Sequence, residues 1–452
     1  MPVNWDKALH DADTIFRAAL ERVDPLAMIG RCMSIDAGEL VIRTEYDEAC
    51  YAMGNYDRIV VAGMGKAAAR MALGVEQALG DRISGGLIAV KEGCEEPLSR
   101  LAVVEAGHPL PDLRSMRAAA GLLAVGRGLD ERTLALVLIS GGGSAVVCAP
   151  AQGLRLEDKI ATTGLLLSCG ATIQEINCVR KHLSAVKGGR LAEAFAPATV
   201  VSLILSDVVG DDLDAIASGP TVPDPTTFTD SLEVFRRYGI EEQIPSDVMH
   251  FLRRGAAGKT PETPKPGEPV FDRARTILLG TNRQALTAGR ARAQELGYAT
   301  MVLTSRLTGE AREAALMILG IGKDIASSGF PLARPACIIM GGETTVTLRG
   351  TGKGGRNQEM ALAFLTGLER SPKDGQDLLF FSASTDGSDG PTEAAGAFAS
   401  SELLCRARLA GLYPEAFLCN NDSYNFFNSC GGLVRTGPTN TNVCDIQILL
   451  VP

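Results

Sequence analysis

The sequence lacks the features that mark nucleic-acid-binding, membrane and zinc-binding proteins. Its formal net charge is −9, whereas a nucleic-acid-binding protein usually carries a basic face. No apolar run reaches the ~18 residues of a membrane span, and none of the 11 cysteines forms the CxxC pair of a tight zinc site. Acidic residues occupy the N-terminal region where a signal peptide would have its apolar core. We therefore expect a cytoplasmic protein with no nucleic-acid and no membrane partner.

The sequence also lacks a P-loop. That motif, G-x-x-x-x-G-K-[ST], would need glycine at position 60 and serine or threonine at position 67, but the chain has Val60 and Ala67 around Lys66. A second Gly-Lys-Thr run ends at Thr260 and has Arg253 in place of the first glycine. A nucleotide would therefore have to be bound by a different kind of loop.

Glycine is abundant, with 50 among the 452 residues, and most of these glycines cluster beside apolar runs. Because glycine permits positive φ and a close approach of the backbone to a ligand, the clusters predict binding loops at strand ends. The apolar runs alternate with helical patterns, which indicates βαβ units and a parallel sheet. Ligands of such sheets bind beyond the carboxyl ends of the strands.

The alternation predicts an α/β fold with two domains, separated by a Pro- and Gly-rich connector at 255–269. We expect a Rossmann- or flavodoxin-like, mainly parallel sheet in an N-terminal domain at 1–255 and a second α/β domain at 270–452. In the second domain, residues 344–348 are predicted to form a hairpin with a strand at 337–340. The predicted strands of the first domain are 58–62, 87–90, 101–104, 134–139 and 199–205.

The first candidate loop, at 63–68, follows a predicted strand and opens a helix. Its G-x-G-x-x-A pattern fits the dinucleotide-binding fingerprint, but the acid expected at the end of the next strand is matched only imperfectly, by Glu92. Lys66 adds an ammonium group beside a helix N-terminus, where backbone amides favour anions. We predict that Gly65 and Lys66 bind a phosphate or carboxylate; the alternative is a tight turn with a solvated lysine.

The second candidate loop is the stronger one, because its three successive glycines would free several amides for one anion. It follows a buried strand, and it is not a hydrolase elbow, which would need the pattern G-x-S-x-G. The predicted nucleotide-binding residues of this loop are Ser140, Gly141, Gly142, Gly143 and Ser144.

The main basic cluster of the chain consists of Arg180, Lys181, Lys187 and Arg190, with His182 among them. Such a run is usually a solvated helix face, but the glycines at 188 and 189 leave room for phosphate contacts. A single histidine in this setting is more often structural than catalytic.

Two acidic stretches follow predicted buried strands, and their leading acids are Asp207 and Asp386. Acids after a strand suit Mg²⁺, which takes one or two protein carboxylates and keeps waters and phosphate oxygens. We predict that Asp207 and Asp386 hold a metal ion or act as a catalytic base. The alternative for the stretch that begins at Asp207 is capping and turn chemistry.

Arg356 follows a Gly-rich loop and begins a predicted helix. A cation at a helix N-terminus is unfavourable for the helix dipole, and such a local conflict indicates a functional demand. Clamping a phosphate or carboxylate through two parallel hydrogen bonds would be such a demand. We predict a catalytic role for Arg356 and nucleotide binding for the nearby Glu343 and Asn357.

Together these motifs resemble the class II glycerate 2-kinases, whose C-terminal part is called the MOFRL domain. The resemblance implies transfer of the γ-phosphate of ATP to glycerate, giving 2-phosphoglycerate, with a divalent metal and in a cleft between two α/β domains. It identifies Lys66 and Arg356 with the lysine and arginine of that cleft. The matching segments span nearly the whole chain in order: 63–68, 140–145, 179–192, 206–225, 280–282, 341–345, 352–359, 384–396 and 420–425.

Some relatives in that family have been labelled hydroxypyruvate reductases, so NAD(P)H-dependent reduction of hydroxypyruvate is the alternative function. The acidic loops and Arg356 suit phosphate better than a dinucleotide. The expected ligands are therefore glycerate, ATP and Mg²⁺, and a homodimer is compatible with the sequence.

Overall fold

The computed structural model describes residues 3–452, which divide into two compact units. The central unit is Pro25–Leu279, and the terminal unit combines the chain up to Asp24 with Gly280–Pro452. The helices are α1 (Trp5–Arg22), α2 (Pro25–Cys32), α3 (Ala68–Leu79), α4 (Leu113–Val125), α5 (Gly143–Val146), α6 (Leu156–Ser168), α7 (Ile173–His182), α8 (Arg190–Phe195), α9 (Phe228–Tyr238), α10 (Ser246–Ala256), α11 (Asn282–Glu295), α12 (Ala311–Ser328), α13 (Arg356–Arg370), α14 (Ser401–Leu409), α15 (Pro414–Cys419) and α16 (Ser423–Cys430). The strands are β1 (Met33–Asp36), β2 (Glu39–Arg43), β3 (Glu48–Ala52), β4 (Arg58–Met64), β5 (Ile83–Lys91), β6 (Ala102–Ala106), β7 (Thr133–Ile139), β8 (Thr199–Leu205), β9 (Ala274–Gly280), β10 (Ala299–Leu307), β11 (Ala336–Gly342), β12 (Leu379–Ser384), β13 (Gly396–Ser400), β14 (Leu433–Val434) and β15 (Asp445–Val451).

The two units differ from the predicted ranges 1–255 and 270–452 at two places. Helix α1 belongs to the terminal unit: it packs so closely on α11 that a Cβ at Gly289 would lie 3.4 Å from Ile15, and the Tyr298 hydroxyl donates to Asp11 at 2.7 Å. Strand β9 lies beyond the predicted connector and extends the sheet of the central unit. Burial of the apolar face of α1 against α11 determines where α1 lies. The sequence of neither helix indicates that the other is its packing partner.

The sheet of the central unit has the strand order β6-β5-β4-β7-β8-β9. Strand β4 pairs in parallel with β5 and β7, and the pairs β5–β6 and β7–β8 are parallel too. Every residue of β7 is buried, as in strands that are covered on both faces. These pairings confirm the predicted parallel α/β sheet. The chain builds outward from β4 to one edge and then from β7 to the other, so the strand order reverses between β4 and β7. Open α/β sheets bind ligands at such a switch point.

A small antiparallel sheet formed by β1, β2 and β3 belongs to the central unit as well. The prediction omits this sheet. Its strands have only four or five residues each, with one or two buried positions per strand, so the apolar alternation is too short to be read from sequence.

The sheet of the terminal unit is mixed, with the order β10-β11-β15-β12-β13-β14. Among the strand pairs of this sheet within residues 3–452, only β10 and β11 pair in parallel, and β15 runs antiparallel to both β11 and β12. The predicted second α/β domain is thus confirmed, but the predicted hairpin of 337–340 with 344–348 is wrong. Both edges of β11 are already occupied by β10 and β15, and Thr345 makes only an isolated bridge with Glu310. Within residues 3–452, no helix combines the length and apolar character needed to cross a membrane.

Candidate active site

The loops after β4 and β7 are joined to each other by backbone hydrogen bonds at the switch point of the central sheet. The amide of Lys66 donates to the carbonyl of Gly141 at 2.8 Å, and the amide of Ser140 donates to the carbonyl of Met64 at 3.0 Å. The Ser140 hydroxyl accepts from the amide of Ala67 at 3.0 Å. Ser140 therefore holds the two loops together, which is a role in positioning the site.

Gly65 is explained by this junction. Its φ is +121°, which disfavours any other residue, and a Cβ there would collide with the carbonyl and hydroxyl of Ser140. Gly63, at the other end of the fingerprint pattern, faces Ile88, which a Cβ would also strike. The two glycines are thus required by packing, so the pattern alone does not indicate a dinucleotide.

Four strand ends converge around the three glycines after β7. A Cβ at Gly142, whose φ is +81°, would lie 3.0 Å from Cδ2 of His108 and 3.4 Å from Cγ of Lys66. A Cβ at Gly141 would collide with the carboxylate of Asp207. The structure therefore brings together Lys66 after β4, His108 after β6 and Asp207 after β8, with no side chain between them at 141–143.

His108 is absent from the sequence-based set. The signal that could have found it is its position two residues after β6, next to Gly107. That signal becomes visible only when β6 is known to lie in the same sheet as β4 and β7.

Ser144 lies one residue beyond the glycines, and its hydroxyl is part of a polar chain. Its Oγ lies 2.7 Å from Oγ of Ser218, which in turn donates to Oδ1 of Asn177 at 2.9 Å. The ammonium group of Lys187 donates to both the carbonyl and the hydroxyl of Ser144 at 3.0 Å. Ser218 follows Ala217, and both have positive φ. The backbone at these two residues is therefore strained, and this strained conformation positions Ser218 in the polar chain of side chains.

The basic cluster is not a solvated helix face, because Lys181 and Lys187 are only 1% and 3% exposed. Lys181 lies 2.9 Å from Asp214 and 3.5 Å from Asp224. The His182 imidazole lies 3.0 Å from Glu262. Burial alone would lower the pKa of His182, but its bonds to Cys178 and Glu262 raise that pKa to about 9. These contacts tie the acidic stretch after β8 to α7 and assign His182 a structural role, as the sequence indicates.

In the terminal unit, Arg356 begins α13 and is held by two carboxylates. Its Nε and Nη2 donate to Asp445 at 2.5 and 3.0 Å, and its Nη1 donates to Glu343 at 2.7 Å. Asp445, at the start of β15, is fully buried. Burial disfavours the charged guanidinium, but the hydrogen bond and charge of Asp445 outweigh it and raise the pKa of Arg356. The guanidinium is therefore fixed in position, with much of its charge already compensated.

Asn357 and Asp386 are engaged in local structure. The backbone amides of Asn357 and Gln358 donate to the two carboxylate oxygens of Asp389 at 3.1 and 2.9 Å, which caps α13. Burial raises the pKa of Asp389 to about 6. Oδ1 of Asp386 accepts from the Ser384 hydroxyl at 2.9 Å and from the Ser388 amide at 3.0 Å. Local turn chemistry thus accounts for that oxygen.

The chain matches two family models. The model described as "Domain of unknown function (DUF4147)" matches residues 11–253, and that of the MOFRL family matches residues 336–445. A glycerate 2-kinase of Pyrococcus horikoshii is 39% identical over 96% of this chain and 95% of its own length. A protein of Agrobacterium vitis named putative hydroxypyruvate reductase is 43% identical over 87% of either chain. The crystal structure of a glycerate kinase from Thermotoga maritima is similar with a TM-score of 0.85 at 38% identity, covering 99% of this chain and 100% of that one.

Proposed function

The chain belongs to the class II glycerate 2-kinase family, and we propose that it transfers the γ-phosphate of ATP to the C2 hydroxyl of glycerate. The observation that carries this proposal is the convergence of Lys66 and His108 on Gly142 and of Asp207 on Gly141 at the switch point of the central sheet. Phosphoryl transfer asks a protein mainly for positioning and for neutralisation of negative charge. The carboxyl edge of the central sheet supplies both positioning and positive charge. It brings together a lysine, an imidazole and a backbone turn of glycines.

Each candidate residue then has a role. Lys66 stabilises anionic oxygens of the transferred phosphoryl group, and amides of the turn at Gly141, Gly142 and Gly143 can donate to the same oxygens. Asp207 accepts the proton of the attacking hydroxyl or holds the metal ion. Asp445 aligns the guanidinium of Arg356. The N–H groups of Arg356 that do not donate to Asp445 or Glu343 bind an anionic oxygen. Closure over the substrates would exclude water, which would otherwise divert ATP to hydrolysis.

The family implies Mg²⁺, and the oxygen donors at the strand ends fit such an ion. Mg²⁺ needs only one or two protein carboxylates, because it keeps waters and phosphate oxygens as ligands. Among residues 3–452, no group of three or more His, Cys, Asp or Glu side chains is placed to hold a metal by itself, so a nucleotide-borne ion suits this chain better than a resident one. Asp207 and, separately, Asp386 are the carboxylates that we propose as candidate ligands of such an ion. The ion would neutralise charge on the phosphate oxygens.

A coupled assay tests the proposal against its alternative. Purified protein is given glycerate, ATP and Mg²⁺ in one arm, and hydroxypyruvate with NADH or NADPH in the other. We expect glycerate-dependent release of ADP, formation of 2-phosphoglycerate and no oxidation of the nicotinamide cofactor. Reduction of hydroxypyruvate without glycerate-dependent ADP release would replace the kinase by the reductase.

Lys66→Met tests the assignment of the central site. The substitution keeps the length of the side chain and removes its charge, so kcat/KM should fall by at least about 100-fold while the thermal midpoint changes little. Lys259→Met, at an exposed position of the same unit, is the matched control and should keep wild-type kinetics. Near-normal kcat/KM in Lys66→Met would remove Lys66 from the reaction.

A further inference from the structure

Three cationic side chains of the central unit are gathered without a carboxylate. Lys159 on α6 and Lys187 after α7 are 6% and 3% exposed, and Arg180 on α7 is partly exposed. None of the three forms a salt bridge within residues 3–452, whereas Lys181, the neighbour of Arg180, contacts two aspartates. Buried cations are ordinarily paired, so this group departs from the usual pattern.

The hydrogen bonds of the group leave its charge uncompensated. The ammonium of Lys187 donates to the carbonyl and hydroxyl of Ser144, and that of Lys159 donates to the carbonyl of Leu183 at 3.0 Å. The guanidinium of Arg180 makes no hydrogen bond to the protein among the residues that the structure describes. All the acceptors are neutral, and an ammonium group has more donors than these bonds use.

The electrostatic cost of this arrangement is visible in the pKa values of the two lysines. Burial lowers the pKa of Lys187 to about 7, and the charges of Lys159 and Arg180 lower it further in the same direction. Burial likewise lowers the pKa of Lys159 to about 8, with Arg180 adding to the effect. The thiol of Cys148 acts in the opposite direction and raises the pKa of Lys187. Like charges kept together in a low-dielectric setting destabilise a fold unless an anion joins them.

We propose that Lys159, Arg180 and Lys187 form an oxyanion subsite, and that it takes the carboxylate of glycerate. The assignment rests on the proposed kinase function. The ammonium group of Lys187 contacts Ser144, the residue that directly follows the turn at Gly141–Gly143. Lys66 and His108 lie against the same turn. Arg180 is the partly exposed member of the group. Its planar guanidinium can bind a carboxylate through two parallel hydrogen bonds.

Binding of an anion should stabilise the charged form of Lys187 and raise its pKa. At about pH 8, where that lysine is mostly neutral without a ligand, glycerate binding should therefore take up a proton. Titration calorimetry in two buffers of different ionisation enthalpy measures this uptake directly, without turnover. The uptake should disappear in Lys187→Met and at about pH 6, where the lysine is already charged.

Arg180→Met separates a ligand-binding role from a structural one. Within residues 3–452, the guanidinium of Arg180 makes no hydrogen bond to the protein, and its charge repels Lys159 and Lys187. Its removal should therefore leave the thermal midpoint of the ligand-free protein unchanged or raise it. Affinity for glycerate should fall by at least about tenfold, and affinity for Mg²⁺–ADP should stay at the wild-type value. Lys259→Met controls for the loss of one positive charge and should bind both ligands normally.

The outcomes separate this proposal from the kinase assignment. Unchanged glycerate affinity and proton uptake in both variants would overturn the subsite, whatever the enzyme phosphorylates. Loss of Mg²⁺–ADP binding with normal glycerate binding would mean that the subsite takes a phosphate, which overturns the carboxylate assignment. Proton-coupled binding of glycerate in a wild-type protein without kinase activity would support the subsite and refute the proposed function.

Discussion

In the terminal unit, Arg356 is held by Asp445 and Glu343. In the central unit, two buried lysines and a partly exposed arginine have no carboxylate partner within residues 3–452. In the first arrangement, the two carboxylates compensate much of the positive charge and fix the guanidinium in a single orientation. The second keeps its charge uncompensated, at a cost in stability, and so retains it for a ligand. A cation near a binding loop can thus serve either precise placement or strong attraction, and the carboxylates around it tell the two apart.

The largest effect that would break this comparison is expected from Asp445→Asn. The change leaves the buried side of Arg356 without its counter-charge, which costs about 3–5 kcal/mol in the free energy of unfolding. It also frees the guanidinium to rotate, so kcat/KM should fall by at least about 100-fold. Chemical denaturation and steady-state kinetics measure the two effects separately.

The double variant Arg356→Met/Asp445→Asn resolves them. Without either charge in the pair, much of the lost stability should return, because the uncompensated charge is gone. Activity should remain as low as in the single variant. A stable double variant with near-normal kcat/KM would show that Arg356 is only a structural partner of Asp445.

Paired and unpaired cations should also give opposite dependences of stability on pH. His182 has a folded pKa of about 9, above its unfolded value near 6.5, so its contribution is present below about pH 6.5 and is lost as pH rises through 9. Lys187 has a folded pKa of about 7, below its unfolded value near 10.4. Above about pH 7, Lys187 therefore binds fewer protons in the folded protein than in the unfolded chain. Its contribution makes the free energy of unfolding rise with pH there.

Between about pH 7 and 9 the two trends oppose each other, and single variants should expose each of them. Lys187→Met should make the free energy of unfolding fall more steeply with pH than in the wild type. Glu262→Gln, which removes a bond that raises the pKa of His182, should make it fall less steeply or rise. Urea denaturation at both ends of this range measures the slopes, and identical slopes in the two variants would contradict the distinction between paired and unpaired cations.

The same distinction marks the limit of what the sequence could predict. The parallel sheet and the loops containing Lys66 and Gly142 were predictable, because apolar runs that end in glycine are local signals. His108 and Asp445 were not, since the first matters only through the strand order and the second begins an apolar strand. The sequence also could not tell Lys187 from Lys181, since both stand in one basic run and only tertiary packing supplies aspartates to one of them.

The smallest effect is expected at the exposed side of the Arg356 pair. Glu343 was predicted to bind nucleotide, yet its carboxylate lies 2.7 Å from Nη1 of Arg356 and its side chain is 45% exposed. An exposed ion pair contributes no more than about 1 kcal/mol, and Glu343→Gln leaves both bonds from Arg356 to Asp445 in place. Stability should therefore change by less than that amount and kcat by less than about tenfold, far below the effect of Asp445→Asn. A selective rise in KM for ATP would support nucleotide binding by Glu343. A loss of kcat equal to that of Asp445→Asn would instead mean that the exposed carboxylate, and not the buried one, sets the orientation of the guanidinium.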